Sequence, residues 1–307
     1  MSTTNLDTYI ANIREKVAIV TGAASGLGKA LSKRLAEYNA KVLLVDIDAA
    51  IEGVSQEINY QLGCDATSWI VCDLCKLDDI QRYLDHAIEL YGRYDIVVNN
   101  AGIANEQSLF SQSDSTELDR ILGLNVRAPM EATRIAVRYF KESGRKGVIL
   151  NTASVGGLIP LSIMESYGTT KAALIFFTAT CKSLAPQIRV NAVAPYFADT
   201  PLVANNRLVQ SYPLVQQVGL MLPEKVIKAM VKAIGDESLA GDTLMVAMGA
   251  RPEKLTFYDS ISLHVTSYIV SGTANRYATA LSSYFARALD SLLGYVRKPV
   301  PYKQNQD

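Results

Sequence analysis

Apolar residues over the first two-thirds of the chain alternate between short unbroken runs and helically spaced positions. The runs KVAIVTG (16–22), KVLLVDID (41–48), TSWIVCDL (67–74), YDIVVNNAG (94–102), GVILNTAS (147–154) and IRVNAVAP (188–195) predict strands. Continuous Val/Ile runs, rather than strict alternation, are what strands covered on both faces require. Between them lie segments of helical period. In KALSKRLAEYN (29–39), Leu31, Leu35 and Tyr38 fall close to one face, and Asn39 tolerates the left-handed backbone that ends a helix. Further helices are predicted over 49–63, 77–92, 114–126, 129–142 and 165–185. Strand and helix in alternation predict an α/β fold: a doubly wound parallel sheet of Rossmann type. It forms a single domain over 1–250, followed by an extension over 251–307.

The first strand runs into TGAASGLGKA, which sets Gly22, Gly26 and Gly28 between a strand and a helix. Glycines there permit a tight turn and close approach of a pyrophosphate to the backbone. The helix start then offers free N–H groups to the phosphates. The strand–turn–helix context separates this reading from an ordinary glycine-rich turn. Asp46 ends the second strand, where a carboxylate binds the adenosine ribose hydroxyls and repels a 2′-phosphate. Neither Ile47 nor Ser25 supplies a cation, so the expected cofactor is NAD rather than NADP. Asp73 ends a strand at the same edge, where the adenine would lie.

The 307 residues carry no net charge and are 49% hydrophobic, enough for one large core. The balanced charge argues against a nucleic-acid partner. The polar N-terminal stretch lacks the apolar centre of a secretory signal, and no apolar run approaches the ~18–20 residues that span a bilayer. Cys64, Cys72, Cys75 and Cys181 suit a reduced, cytoplasmic protein. Cys72 and Cys75 have metal or redox spacing without a second pair, and they read as ordinary thiols near a strand end, so no metal is expected.

One tyrosine, Tyr167, precedes a lysine, Lys171, by four positions at the start of an apolar run. That pair alone is weak in a chain with 16 tyrosines. Its setting is not. TGAASGLG, CDL with Asp73, NNAG (99–102), LNV with Asn125, and Ser154 thirteen residues before Tyr167 occur in one order. In these motifs the chain resembles the short-chain dehydrogenase/reductase family over roughly 14–248. More loosely, ASVGGLIPLSIMESYGTTK and IGDESLAGDTLMV are similar to NAD-dependent hydroxyprostaglandin dehydrogenases. The resemblance implies a catalytic set of Asn125, Ser154, Tyr167 and Lys171. It implies cofactor contacts from Gly22, Ser25, Gly26, Leu27, Gly28, Asp46, Asp73, Leu74, Asn100, Ala101, Gly102, Tyr167, Lys171, Pro195 and Thr200. Asn125 would hold a water that relays the proton outward, and Lys171 would hold the nicotinamide ribose. A homodimer or homotetramer is expected. The chain departs from the family at Pro195-Tyr196, where a glycine is usual after the proline.

An i, i+4 spacing puts Tyr167 and Lys171 on one helix face. A phenol of pKa near 10 needs about 4 kcal/mol of differential stabilisation to become a base near neutrality. A cation about 4 Å away at an effective dielectric near 20 supplies about that much, with help from oxidised nicotinamide. The stretch 196–223 occupies the family's substrate-lid position and carries Leu202, Val203, Leu208, Val209, Leu214, Val215, Leu220, Met221 and Leu222. These residues either bound a lipophilic substrate or pack on the core or another subunit. The expected activity is NAD-dependent oxidation of a secondary alcohol on a lipophilic small molecule. The alternatives are a biosynthetic ketone reductase, a non-redox cyclase on the same fold and a silent NAD-binding regulator. In the extension, Tyr277, Leu281, Tyr284, Ala288, Leu292 and Tyr295 form the stripe of an amphipathic helix, expected to bury itself against protein.

Overall fold

The structure is a computed structural model that describes residues 3–248 and 253–255. Strands β1 (Val17–Thr21), β2 (Lys41–Asp46), β3 (Thr67–Val71), β4 (Ile96–Asn99), β5 (Gly147–Thr152), β6 (Ile188–Pro195), β7 (Thr243–Val246) and β8 (Glu253–Leu255) form one sheet in the order β3-β2-β1-β4-β5-β6-β7-β8. The first seven are parallel, and β8 is antiparallel to β7. All residues of β1, β4, β5 and β7 are buried, as their unbroken apolar runs require. β3 lies at an edge and leaves Trp69 37% exposed.

The helices are α1 (Thr3–Ile13), α2 (Gly26–Glu37), α3 (Ile51–Leu62), α4 (Leu77–Tyr91), α5 (Thr116–Leu122), α6 (Ala128–Glu142), α7 (Glu165–Thr180), α8 (Pro201–Ala204), α9 (Arg207–Gln210), α10 (Pro213–Val218) and α11 (Pro223–Gly235). Asn39 adopts φ 64° just past α2, and Gly63 closes α3 at φ 67°. The predicted helix over 165–185 ends at Thr180 and tightens into a 3₁₀ turn over Cys181–Leu184. The two helices predicted over 114–126 and 129–142 are α5 and α6, joined without a break through a π-turn at Gly123–Arg127. β6 fills its run of 188–195, whereas β1 to β5 are shorter than theirs because the last residues leave the sheet for loops. Two unforeseen helices pack together: Tyr9 of α1 lies so close to Gly235 of α11 that a Cβ there would meet Tyr9 Cα at 2.7 Å.

β1 is hydrogen-bonded to β2 on one side and β4 on the other, so chain direction across the sheet reverses at β1/β4. Ligands of open parallel sheets bind beyond the strand ends at such a switch point. The helix expected over 273–298 lies outside the described residues.

Candidate active site

At the switch point the glycine turn is held by hydrogen bonds between strand ends. Gly22 has φ +66°, and a Cβ on Gly28 would lie 2.0 Å from the Gly22 carbonyl oxygen. Neither position accepts a side chain without moving the turn. Thr21 Oγ1 donates to the Val98 carbonyl and accepts the main-chain N–H groups of Asn100 and Ala101. Asn100 Nδ2 donates to the carbonyls of Thr21 and Gly22, and its Oδ1 accepts from Thr152 Oγ1. Asn100 thus ties the ends of β1, β4 and β5 together. Thr21 and Thr152 escaped the sequence reading; a hydroxyl ending a buried strand is the signal they offer.

α2 starts at Gly26, and its N-cap Ser25 makes no side-chain capping bond. The first N–H groups of a helix have no partner within it and attract anions. Asp46 accepts the N–H groups of Ala24 (2.9 Å) and Asp48 (3.1 Å), one on each carboxylate oxygen. The carboxylate is fixed beside the turn and half-buried, with lone pairs left for ribose hydroxyls. These groups form a cradle with the donors and acceptor that a dinucleotide needs. Leu27 is half-buried and Leu74 buried. Asp73 lies past the end of β3, where its carboxylate accepts the Cys75 N–H and is 3.9 Å from Lys76 Nζ. Cys72 is buried, and burial raises its thiol to about 11.

Across β4 and β5 the four residues of the expected catalytic set meet. α7 presents Tyr167 and Lys171 toward the end of β5, with Lys171 Nζ 5.4 Å from the Tyr167 ring centroid. Both are buried. Lys171 Nζ donates to the Thr152 carbonyl at 2.8 Å, and a Cβ on Gly102 would come within 3.3 Å of it. Tyr167 is hydrogen-bonded to Ser154, whose Oγ also accepts the Gly156 N–H. Asn125, fully buried in the π-turn, donates to the Ile103 carbonyl and Thr170 Oγ1 and accepts the Ile103 N–H. Its side chain therefore fixes the segment after Gly102 and the face of α7 below Tyr167. Both Nδ2 hydrogens are thereby used, while Oδ1 keeps a lone pair.

In the protein without cofactor, burial shifts both groups. Burial, partly offset by the Ser154 hydrogen bond, pushes the Tyr167 phenol up to about 12; burial pulls Lys171 down to about 8. Moving a phenol from about 12 to neutrality takes about 7 kcal/mol. A cation beside the ring favours the phenolate, and Lys171 supplies one.

Pro195 ends β6, and Tyr196 follows with its N–H donated to the Val246 carbonyl. Among the described non-glycine residues only Glu15 and Asn39 have positive φ, so Tyr196 sits in ordinary backbone. Its ring packs edge-on to Phe197 at 5.1 Å. Thr200 is buried, and a Cβ on Gly26 would lie 3.4 Å from its Cβ. The segment predicted as a lid leaves and returns at one point: Met221 accepts from Asp199 and donates to Phe197. Within it Val203, Val209 and Val215 pack with Met164 and Tyr167, and Ala104 and Phe197 lie against that cluster. Its apolar side chains thus pack on the protein, around Tyr167. Leu202 and Leu222 are exposed.

The family model for short chain dehydrogenases matches residues 16–210. A 3beta-hydroxysteroid dehydrogenase 2 of Eggerthella lenta is 34% identical over 59% of this chain and 70% of its own. The NAD-linked 15-hydroxyprostaglandin dehydrogenase of Mus musculus is 27% identical over 76% and 91%. The crystal structure of a 3-ketoacyl-(acyl-carrier-protein) reductase from Brucella melitensis, complexed with NADH, superimposes with a TM-score of 0.68. It is 34% identical, covering 76% of this chain and 97% of that one. Glycine cradle, buried Tyr–Lys pair and matched span together place this chain in the short-chain dehydrogenase/reductase family of oxidoreductases, which bind a nicotinamide cofactor.

Proposed function

We propose that the protein is an NAD-dependent dehydrogenase that oxidises a secondary alcohol on a lipophilic small molecule. The observation that carries this reading is the placement of Tyr167. It lies between the buried ammonium of Lys171 and the apolar cluster of Val203, Val209 and Val215. NAD, held by these residues, would supply a hydride acceptor and a positive charge. Ser154 orients the substrate oxygen, and Tyr167 receives its proton. Lys171 stabilises the phenolate and, with the donors left after its bond to Thr152, holds the nicotinamide ribose. Asn125 keeps Gly102, Ile103 and α7 in register. Gly22, Ser25, Gly26, Leu27, Gly28 and Asn100 to Gly102 form the dinucleotide cradle. Asp46 meets the adenosine ribose, Asp73 and Leu74 the adenine side, and Pro195 and Thr200 the nicotinamide.

The catalytic unit spans 1–250, followed by an extension over 251–307, and the protein forms a homodimer or homotetramer. The setting is cytoplasmic; among the described residues no helix is long and apolar enough to cross a membrane. The same site serves ketone reduction, a reading favoured by the phenol at about 12, which is a proton donor before any charge enters.

NAD is preferred because Asp46 stands anchored beside the turn and, among the described residues, forms no ion pair. Catalytic efficiencies with NAD and NADP, followed by NADH and NADPH absorbance, test this in the wild type and in Asp46→Ala. The wild type should favour NAD, and the variant should shift toward NADP by about tenfold or more. A wild type that prefers NADP overturns the assignment.

A further inference from the structure

Two buried asparagines tie the lid to the floor of the site. Asn206 lies between α8 and α9 and is 9% exposed; Asn105 lies in the segment after β4 and is 1% exposed. Asn206 Nδ2 donates to the Asn105 carbonyl at 2.9 Å, while its Oδ1 accepts the Val209 N–H at 3.1 Å and so caps α9. Asn105 Nδ2 donates to the carbonyls of Gln107 and Ile163, both at 3.1 Å. Ile163 stands four residues before Tyr167, just ahead of α7. Segments remote in sequence are joined in this way: the chain leaving β4, the approach to Tyr167 and the lid.

The segment that bears Asn105 is itself held on both sides of that residue. Asn125 grips the N–H and the carbonyl of Ile103, and Ser108 Oγ donates to Glu165 Oε1 of α7 at 2.8 Å. The Asn105 carbonyl is therefore a fixed acceptor. On the lid side, Thr200, Gln210 and Ser211 spend their side-chain bonds within the lid, whereas Asn206 reaches out of it. Val203 and Val209, three residues to either side of Asn206, pack with Met164 and Tyr167. Stability alone does not account for either amide. Asn105 Oδ1 is buried without a partner, a cost that an apolar side chain would not carry. Capping α9 needs only an acceptor, which Asp or Ser supplies as well as Asn. The donor of Asn206 serves the Asn105 carbonyl instead.

We propose that Asn105 and Asn206 are positioning residues whose hydrogen bond sets the apolar wall of the lid beside Tyr167 before substrate arrives. A wall already in place spares the substrate the cost of ordering α8 and α9. The bond therefore acts on substrate affinity and not on the transfer of hydride or proton. Its effect on the lid is independent of the dehydrogenase reading, and its effect on substrate rests on that reading.

Asn206→Asp keeps the capping acceptor and removes the donor. Asn206→Ser does the same without adding charge, because its single oxygen cannot stand in both places. In the full chain loaded with NAD, hydrogen exchange read by mass spectrometry should quicken about three- to tenfold over 200–211 in both variants, as loss of one hydrogen bond predicts. Thermal midpoint and NAD affinity should stay near wild type. With octan-2-ol as the probe and NADH absorbance as the signal, KM should rise by a similar factor while kcat stays within about twofold. Wild-type exchange over 200–211 in both variants overturns the proposal. So does a fall in kcat at unchanged KM, which would place the bond in the chemical step. Faster exchange throughout the sheet, with a lower thermal midpoint and weaker NAD binding, would assign the bond to global stability and also overturns it. If exchange quickens in the lid alone but the wild type neither oxidises a panel of lipophilic secondary alcohols nor reduces their ketones, the positioning of the lid stands and the dehydrogenase reading fails.

Discussion

The two walls of the active cleft are built differently. The cofactor wall consists of strand ends: β1, β2 and β4 stop together, and Thr21, Asp46 and Asn100 stitch their loops through side-chain to main-chain hydrogen bonds. The substrate wall consists of helices of only four to six residues, α8, α9 and α10, with its base closed between Ala198 and Met221. Its fixed points are few. Asn206 caps α9 by accepting the Val209 N–H and also donates to the Asn105 carbonyl. Sheet register leaves the first wall little freedom, whereas the second is held by side-chain packing, which tolerates exchange; under the proposed function, substrate choice resides there.

The boundary between the walls is Tyr167, and its replacement gives the largest expected effect. Tyr167→Phe should lower kcat/KM by about 10² to 10⁴ while leaving NAD affinity unchanged. Steady-state rates with calorimetric cofactor binding check this, and wild-type turnover in the variant would remove Tyr167 from the chemistry. The cofactor wall breaks at Gly28. A methyl group 2.0 Å from the Gly22 carbonyl oxygen should cost about 1–3 kcal/mol of stability in Gly28→Ala. Denaturant titration and NAD affinity should fall together, because the turn itself must move.

Lys171 spans both walls, and pH reads its burial. Its folded pKa, about 8, lies below the ordinary 10.5, so the unfolded chain holds the proton more tightly. Between those two values the unfolded state binds more protons, and stability from this residue rises with pH. Lys171→Met should flatten that rise and stabilise the cofactor-free protein at pH 7 by on the order of 2 kcal/mol. Urea unfolding at a series of pH values tests it; an unchanged slope would show that the ammonium is fully compensated by Thr152. The smallest effect belongs to the lid. Val209→Ala removes two buried methyl groups beside Tyr167 and should cost about 1–2 kcal/mol, with a higher KM for lipophilic substrate and unchanged NAD affinity.

Much of this was legible in residue order. Unbroken Val/Ile runs gave the covered strands, Asn39 and Gly63 their left-handed helix ends, and the Ser154, Tyr167, Lys171 spacing the group that meets beside β5. Less was legible where a side chain serves a distant partner. Asn125 was singled out, yet its bonds to Ile103 and Thr170 depend on the π-turn that joins α5 to α6. Thr21 and Thr152 bridge strand ends that are remote in sequence, and α1 acquires its place only by packing on α11.

The sequence by itself determined the period of each element, the glycines that fit the turn and the residue types of a Tyr–Lys oxidoreductase, because these follow from local sterics and spacing. The tertiary structure alone decided how those groups are charged. Full burial pushes the Tyr167 phenol up and pulls the Lys171 ammonium down, and neither shift can be read from their spacing in the chain. It alone also brought Asn125 to Ile103 and Thr170, since desolvation and long-range proximity are properties of the folded chain and not of any stretch of it.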